Sequence, residues 1–181
     1  MNVTIETTPN PATMKFNFPF QVTEVGFECA SVQDTDRSPL AAKIFGFPWT
    51  SSVYVGPQFI TVTKQDWVDW AYLAEPLAGL IQEHLDNKEP VVVQIALAPE
   101  ESSENDSAVV RLIKSVINKE IRPVVALDGG DIVFSKYENN VVYLHMKGAC
   151  AGCPSSTATL KEGIEVRLKE AVPEIKEVVS I

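Results

Sequence analysis

The run Pro99-Glu100-Glu101-Ser102-Ser103-Glu104-Asn105-Asp106-Ser107 constrains this chain more than any other stretch, because it carries four acidic side chains and no apolar anchor. Such a composition cannot bury enough surface to offset the entropy of ordering, and its like charges repel, so it reads as an extended linker. A chain of 181 residues interrupted in this way does not build one continuous core. The expectation is an α+β protein with two small mixed α/β domains, residues 1–97 and 108–181, joined by an acidic linker at 98–107. With 45% hydrophobic residues overall, the chain has enough apolar side chains for two small cores.

In the first segment, Val3 to Thr7 alternates as a strand should, and Thr8-Pro9-Asn10-Pro11 forces a turn before a second strand at Met14 to Phe18. Ser38 is placed to cap a short helix with Pro39 at its first position, running to Phe45 and ended by Gly46. Ser51 to Val55 and Phe59 to Thr63 form a hairpin about Gly56-Pro57. Asp66 is read as the cap of a helix from Trp67 to about Leu85, its apolar side at Trp70, Leu73, Leu77 and Ile81, with Pro76 expected to kink or divide it. Val91 to Leu97 is β-prone.

The second segment opens with Ser107 as a cap and Val109, Ile113, Val116 and Ile117 on one helical face, which Arg122-Pro123 is expected to stop. Leu127-Asp128-Gly129-Gly130-Asp131 turns the chain into a strand at Ile132 to Tyr137, and Glu138-Asn139-Asn140 returns it into a second at Val141 to Met146. A helix from about Ser155 to Ala171 and a last strand at Ile175 to Val179 complete an order of α-β-β-loop-α-β. The loop in that order is Lys147 to Ser156, KGACAGCPSS, which holds Cys150 and Cys153. Its glycines leave the sulfurs uncrowded, Pro154 suits the first helical turn, and the positive end of the helix dipole favours thiolate and any anion the thiolates hold.

Charge and cysteine content narrow the function. The net charge is -9, and it is uneven: residues 1–107 hold 5 Lys+Arg against 15 Asp+Glu, while residues 108–181 hold 10 against 9. That balance argues against a nucleic-acid partner, and the near-neutral cysteine half repels an anionic ligand less. The N-terminal stretch lacks a signal-peptide pattern and no apolar run approaches the roughly 20 residues of a membrane span, so a cytoplasmic protein is expected. Three cysteines make no disulfide framework, and a C-x-x-C in a reducing compartment points to metal or redox chemistry.

That spacing is shared by thioredoxin-like enzymes, zinc sites and iron-sulfur proteins. A thioredoxin-like dithiol oxidoreductase, with Cys150 as nucleophile and Cys153 as resolver, fits the helix start but not Ala149 before Cys150 or the hairpin leading in. A structural zinc site lacks ligands, since His145 shares a strand face with Tyr143 and Val141 and reads as structural. A redox-silent metal-binding module is a third class. Two thiols per chain leave a tetrathiolate site half built, and a second copy in a symmetric dimer completes it economically, an arrangement that suits a releasable iron-sulfur cluster. Asp128 and Asp131 read first as turn formers. Trp49, Trp67 and Trp70, with Phe45 and Phe47, read as core aromatics, and Lys147 as solvated.

The segments RPVVALDGGDIVF, VVYLHMKGACAGCPSSTATLKEGIE and VPEIKEVV resemble the NifU-like C-terminal domain of the Nfu iron-sulfur carriers. TPNPATMKF, SPLAAKIFGF and SSVYVGPQFITVTK resemble the Nfu N-terminal domain, extending the likeness over nearly the whole chain. The resemblance implies a non-enzymatic carrier or scaffold in which Cys150 and Cys153 ligate a [4Fe-4S] cluster bridging two subunits, with [2Fe-2S] as an alternative form. It implies apo iron-sulfur client proteins, an upstream cluster-assembly scaffold, and a homodimer when loaded. Nothing in the family pattern matches Cys29, which reads as structural.

Overall fold

The computed structural model describes residues 2–93, 106–151 and 154–181, with the side chains of the last stretch described from Leu160 onward. The expected linker lies outside these residues apart from its last two positions, as do Cys153 and the end of the β-prone run after Val93. The chain separates into two compact units, Met1–Ala96 and Leu97–Ile181.

In the first unit, β1 (Thr4–Thr7), β2 (Thr13–Asn17), β3 (Phe27–Cys29), β4 (Thr50–Val55) and β5 (Phe59–Lys64) form an antiparallel sheet in the order β1-β2-β5-β4-β3. Met14 and Phe16 on β2, Val53 and Val55 on β4, and Ile60 and Val62 on β5 build a core with Leu40 and Ile44 of helix α1 (Pro39–Phe45) and Leu77 and Ile81 of helix α2 (Trp70–Asp86). Helix α1 forms as its sequence dictates: Ser38 Oγ accepts the Ala41 N–H at 3.1 Å, Pro39 needs no donor, and Gly46 closes the end.

Helix α2 corrects two expectations. Its cap is Asp69 and not Asp66, with the Ala71 N–H donating to Asp69 Oδ1 at 2.9 Å, so Trp67 precedes the helix and is 68% exposed. The helix also runs past Pro76 without dividing. Pro76 removes one helical donor, that facing Tyr72, and Tyr72 is on the solvent side at 78% exposure, where water can serve the carbonyl. Packing of Leu77 and Ile81 beyond the proline holds the second half in line.

The second unit begins with α3 (Ala108–Val116), capped by Ser107, whose Oγ accepts the Val110 N–H at 3.2 Å. Arg122-Pro123 does not stop the helical path. A π turn at Ile117–Ile121 widens the spiral, and α4 (Arg122–Leu127) restarts with Pro123 in its first turn. The inserted turn resets the hydrogen-bond register ahead of the proline, so the ring meets an end that tolerates it. Strands β6 (Gly130–Glu138) and β7 (Val141–Gly148) pair antiparallel through a two-residue turn, with Asn139 at φ 54° and Asn140 at φ 64°. Helix α5 (Pro154–Ala171) then crosses over to β8 (Glu177–Ser180), which lies parallel to β7. Ile113, Ile117 and Val125 from the first helical stretch and Ile164 and Leu168 from α5 cover one face of this sheet at Ile132, Val142 and Leu144. Among the described residues, no helix is long and apolar enough to cross a membrane.

Candidate functional site

The end of β7 carries the chain into the cysteine loop, and two glycine-rich turns meet there. Gly148 takes φ 61° and its carbonyl accepts the Ala151 N–H at 3.0 Å, while Gly129 takes φ 79° and its carbonyl accepts the Ala149 N–H at 3.2 Å. Both positive φ values favour glycine. Gly130 and Gly148 are direct partners in the β6–β7 register, so the Asp128–Asp131 turn lies under the loop.

Gly130 is the floor beneath Cys150. A methyl group on its Cα would sit 2.2 Å from Cys150 Sγ and 3.0 Å from the Cys150 nitrogen, so only glycine admits the sulfur at this place. Cys150 is 5% exposed and belongs to the core of the second unit. Helix α5 begins at Pro154, four residues on, and its 18 residues direct partial positive charge at the loop.

Asp131 does more than form a turn. Its carboxylate is buried, accepts the Ile132 N–H at 2.8 Å, and is gripped by Arg122, with Nε donating to Oδ1 and Nη2 to Oδ2, each at 2.8 Å. Arg122 Nη1 donates to Asn118 Oδ1 at 3.2 Å. Reading the sequence alone misses this pair, because an arginine nine residues before an aspartate matches no local period.

The other singled-out residues are elsewhere or differently placed. His145 is exposed on the sheet face away from Val142 and Leu144, its Nδ1 3.2 Å from the Ile181 carbonyl, and does not join Cys150. Lys147 is half-buried, opposite Asp131 in register. Cys29, in the first unit, is fully buried and its Sγ–H donates to the Asp34 carbonyl at 3.3 Å. Burial pushes its thiol up to about 11, with the Asp34 charge adding to the rise. Trp49 and Trp70 are core residues, ring centroids 6.2 Å apart, whereas Trp67 is a surface aromatic, a correction to its core assignment. Among the described residues, no three His, Cys, Asp or Glu side chains gather as a metal site.

Comparison with known proteins extends this geometry. A family described as "NifU-like domain" matches residues 113–179, and one described as "Scaffold protein Nfu/NifU N terminal" matches residues 3–88. The human "NFU1 iron-sulfur cluster scaffold homolog, mitochondrial" is 36% identical over 178 residues, covering 97% of this chain and 70% of that protein. The chain belongs to the Nfu/NifU-like family.

Other Nfu/NifU-like relatives give the same picture. "NifU-like protein 4, mitochondrial" of Arabidopsis thaliana is 38% identical over 182 residues, covering 97% of this chain and 64% of its own length. A scaffold homolog of Drosophila willistoni is 35% identical over 181 residues, covering 98% and 63%. The chain therefore spans roughly two thirds of the length of these relatives, 70%, 64% and 63% respectively. Both family matches fall within the two compact units, and the one at 113–179 contains the Cys150 loop.

Proposed function

We propose that this chain is an iron-sulfur cluster carrier that receives an assembled cluster at Cys150 and Cys153 and passes it to apo iron-sulfur client proteins, without turnover of its own. The observation that carries the reading is the seat of Cys150: a thiol 5% exposed on a glycine floor, in the loop that leads into a long helix, in a family whose relatives are named as cluster scaffolds. A cluster is degraded by water and oxidants, so a sheltered loop suits a ligand. A dithiol oxidoreductase needs its nucleophile open to in-line attack on a client disulfide, which the 5% exposure of Cys150 disfavours.

Four thiolates satisfy a [4Fe-4S] cluster, and one chain offers two in this loop, so the cargo bridges two copies in a symmetric dimer. A [2Fe-2S] form would use the same four sulfurs. The upstream supplier is a cluster-assembly scaffold, and the strongly acidic first domain is assigned to client encounter, an electrostatic role that salt would screen over about 10 Å at 0.1 M.

Anaerobic reconstitution, iron and sulfide analysis and sizing test the reading together. One four-iron cluster per two chains is expected, with a largely monomeric apo protein. A complete cluster on a stable monomer would refute bridging, and no cluster under any condition would refute the carrier role.

A further inference from the structure

The Arg122–Asp131 pair stands apart from the cysteines yet is joined to them by a short covalent and packing path. We infer that it is a positioning device for Cys150, which deepens the carrier reading and rests on it only for the cluster-bound measurements. The Arg122 guanidinium is held on three nitrogens, two by Asp131 and one by Asn118, so it is locked in plane at the start of α4. Asp131, its side chain 6% exposed, is in turn locked at the start of β6 by Arg122 and by the Ile132 N–H. Gly130 is the next residue back, and its Cα is the surface against which Cys150 Sγ rests.

Fixing Asp131 therefore fixes the floor, and the Ala149 N–H to Gly129 carbonyl bond ties the loop to the same turn. The π turn at Ile117–Ile121 contributes by setting the rotation at which Arg122 leaves the helix. A bidentate charged pair resists rotation as well as separation, which a single hydrogen bond does not. Loosening it frees the floor, widens the range of positions open to the sulfur, and weakens any ligand geometry that depends on it.

The test uses full-length apo protein carrying Cys153→Ser, so that Cys150 is the loop's only thiol, with Cys29 as a slow internal reference. Alkylation of Cys150 by iodoacetamide is followed by mass spectrometry. Arg122→Gln and Asp131→Asn are each expected to speed it about tenfold, and the double variant no further than either single, the signature of two residues acting as one unit. Arg122→Lys keeps the charge but not the fork and should fail to restore the slow rate. Ile113→Val, a core truncation in the same unit, serves as a control matched in melting temperature.

An unchanged rate in Arg122→Gln, or the same rise in Ile113→Val, overturns the proposal. So does failure of both pair variants to fold, which would make the pair a requirement for folding and not a positioning device. In protein with both cysteines, reconstituted anaerobically, the pair variants should lose cluster to a chelator about tenfold faster and show an altered visible circular dichroism spectrum. If the parent protein takes up no cluster, the carrier reading fails while alkylation still decides the clamp.

Discussion

Cys29 and Cys150 are both buried thiols, yet their surroundings ask opposite things of them. Cys29 ends the edge strand β3, paired with Val53 on β4, with its proton committed to the Asp34 carbonyl and a carboxylate nearby that opposes thiolate. Cys150 sits in a loop between a strand and a helix start, on a residue with no side chain, in the half of the chain that is nearly neutral. Burial by itself does not mark a ligand. On the carrier reading the backbone around the sulfur makes the difference: Cys150 has a glycine floor, turns at positive φ beside it and a helix that follows, whereas Cys29 ends an edge strand and gives its proton to a backbone carbonyl.

The sharpest way to break this contrast is to remove the sulfurs. Cys150→Ser or Cys153→Ser should abolish stable cluster retention, because a hydroxyl replaces a thiolate, while Cys29→Ser should retain full iron and sulfide content after anaerobic reconstitution. Loss of cluster in the Cys29 variant with unchanged circular dichroism would erase the distinction. Next in size is Gly130→Ala, whose new methyl would lie 2.2 Å from Cys150 Sγ. It should displace the sulfur, destabilise the second unit by about 1–3 kcal/mol and sharply lower cluster retention, read by melting and by iron content.

Two smaller effects sharpen the comparison from the other side. The folded-state value of Cys29 is raised from 9.0 to about 11, so an unfolded chain ionises first as pH climbs. Stability from the protonated thiol is whole below pH 9 and falls as pH rises through about 11, so the alkaline melting slope should flatten in Cys29→Ala. Denaturant melts of both proteins between pH 8 and about 11 measure it. The smallest effect is expected at Gly163, inside α5, where an added methyl meets nothing within 4 Å among the described residues. Gly163→Ala should stabilise the helix by about 0.5–1 kcal/mol and leave cluster retention alone, whereas impaired retention would show that this glycine serves the site.

Much of this protein is written locally. Ser38 and Pro39 start α1, Asn139-Asn140 turns β6 into β7, and Ser107 caps α3, because capping and turn chemistry act over three or four residues and need no partner from afar. The placement of Cys150 on the loop between β7 and α5 was legible for the same reason: an alternating run stops and a helical stripe begins. Even so, a local signal misled at the start of α2, where Asp66 was read as the cap and Asp69 takes that role, one residue before Trp70 enters the core.

The sequence by itself determined that the chain carries two domains' worth of pattern, most of its strands and helices though not the short strand β3, and that Cys150 sits between a strand and a helix. Tertiary structure alone decided the passage of α2 through Pro76, the π turn that carries the helical path past Pro123, the parallel seat of β8, the seat of the Cys150 sulfur on Gly130, and the grip of Arg122 on Asp131. Each of these depends on which surfaces meet after local structure has formed. A one-residue change in helical register would turn Arg122 about 100° away from Asp131, and no pattern of neighbours along the chain encodes that angle.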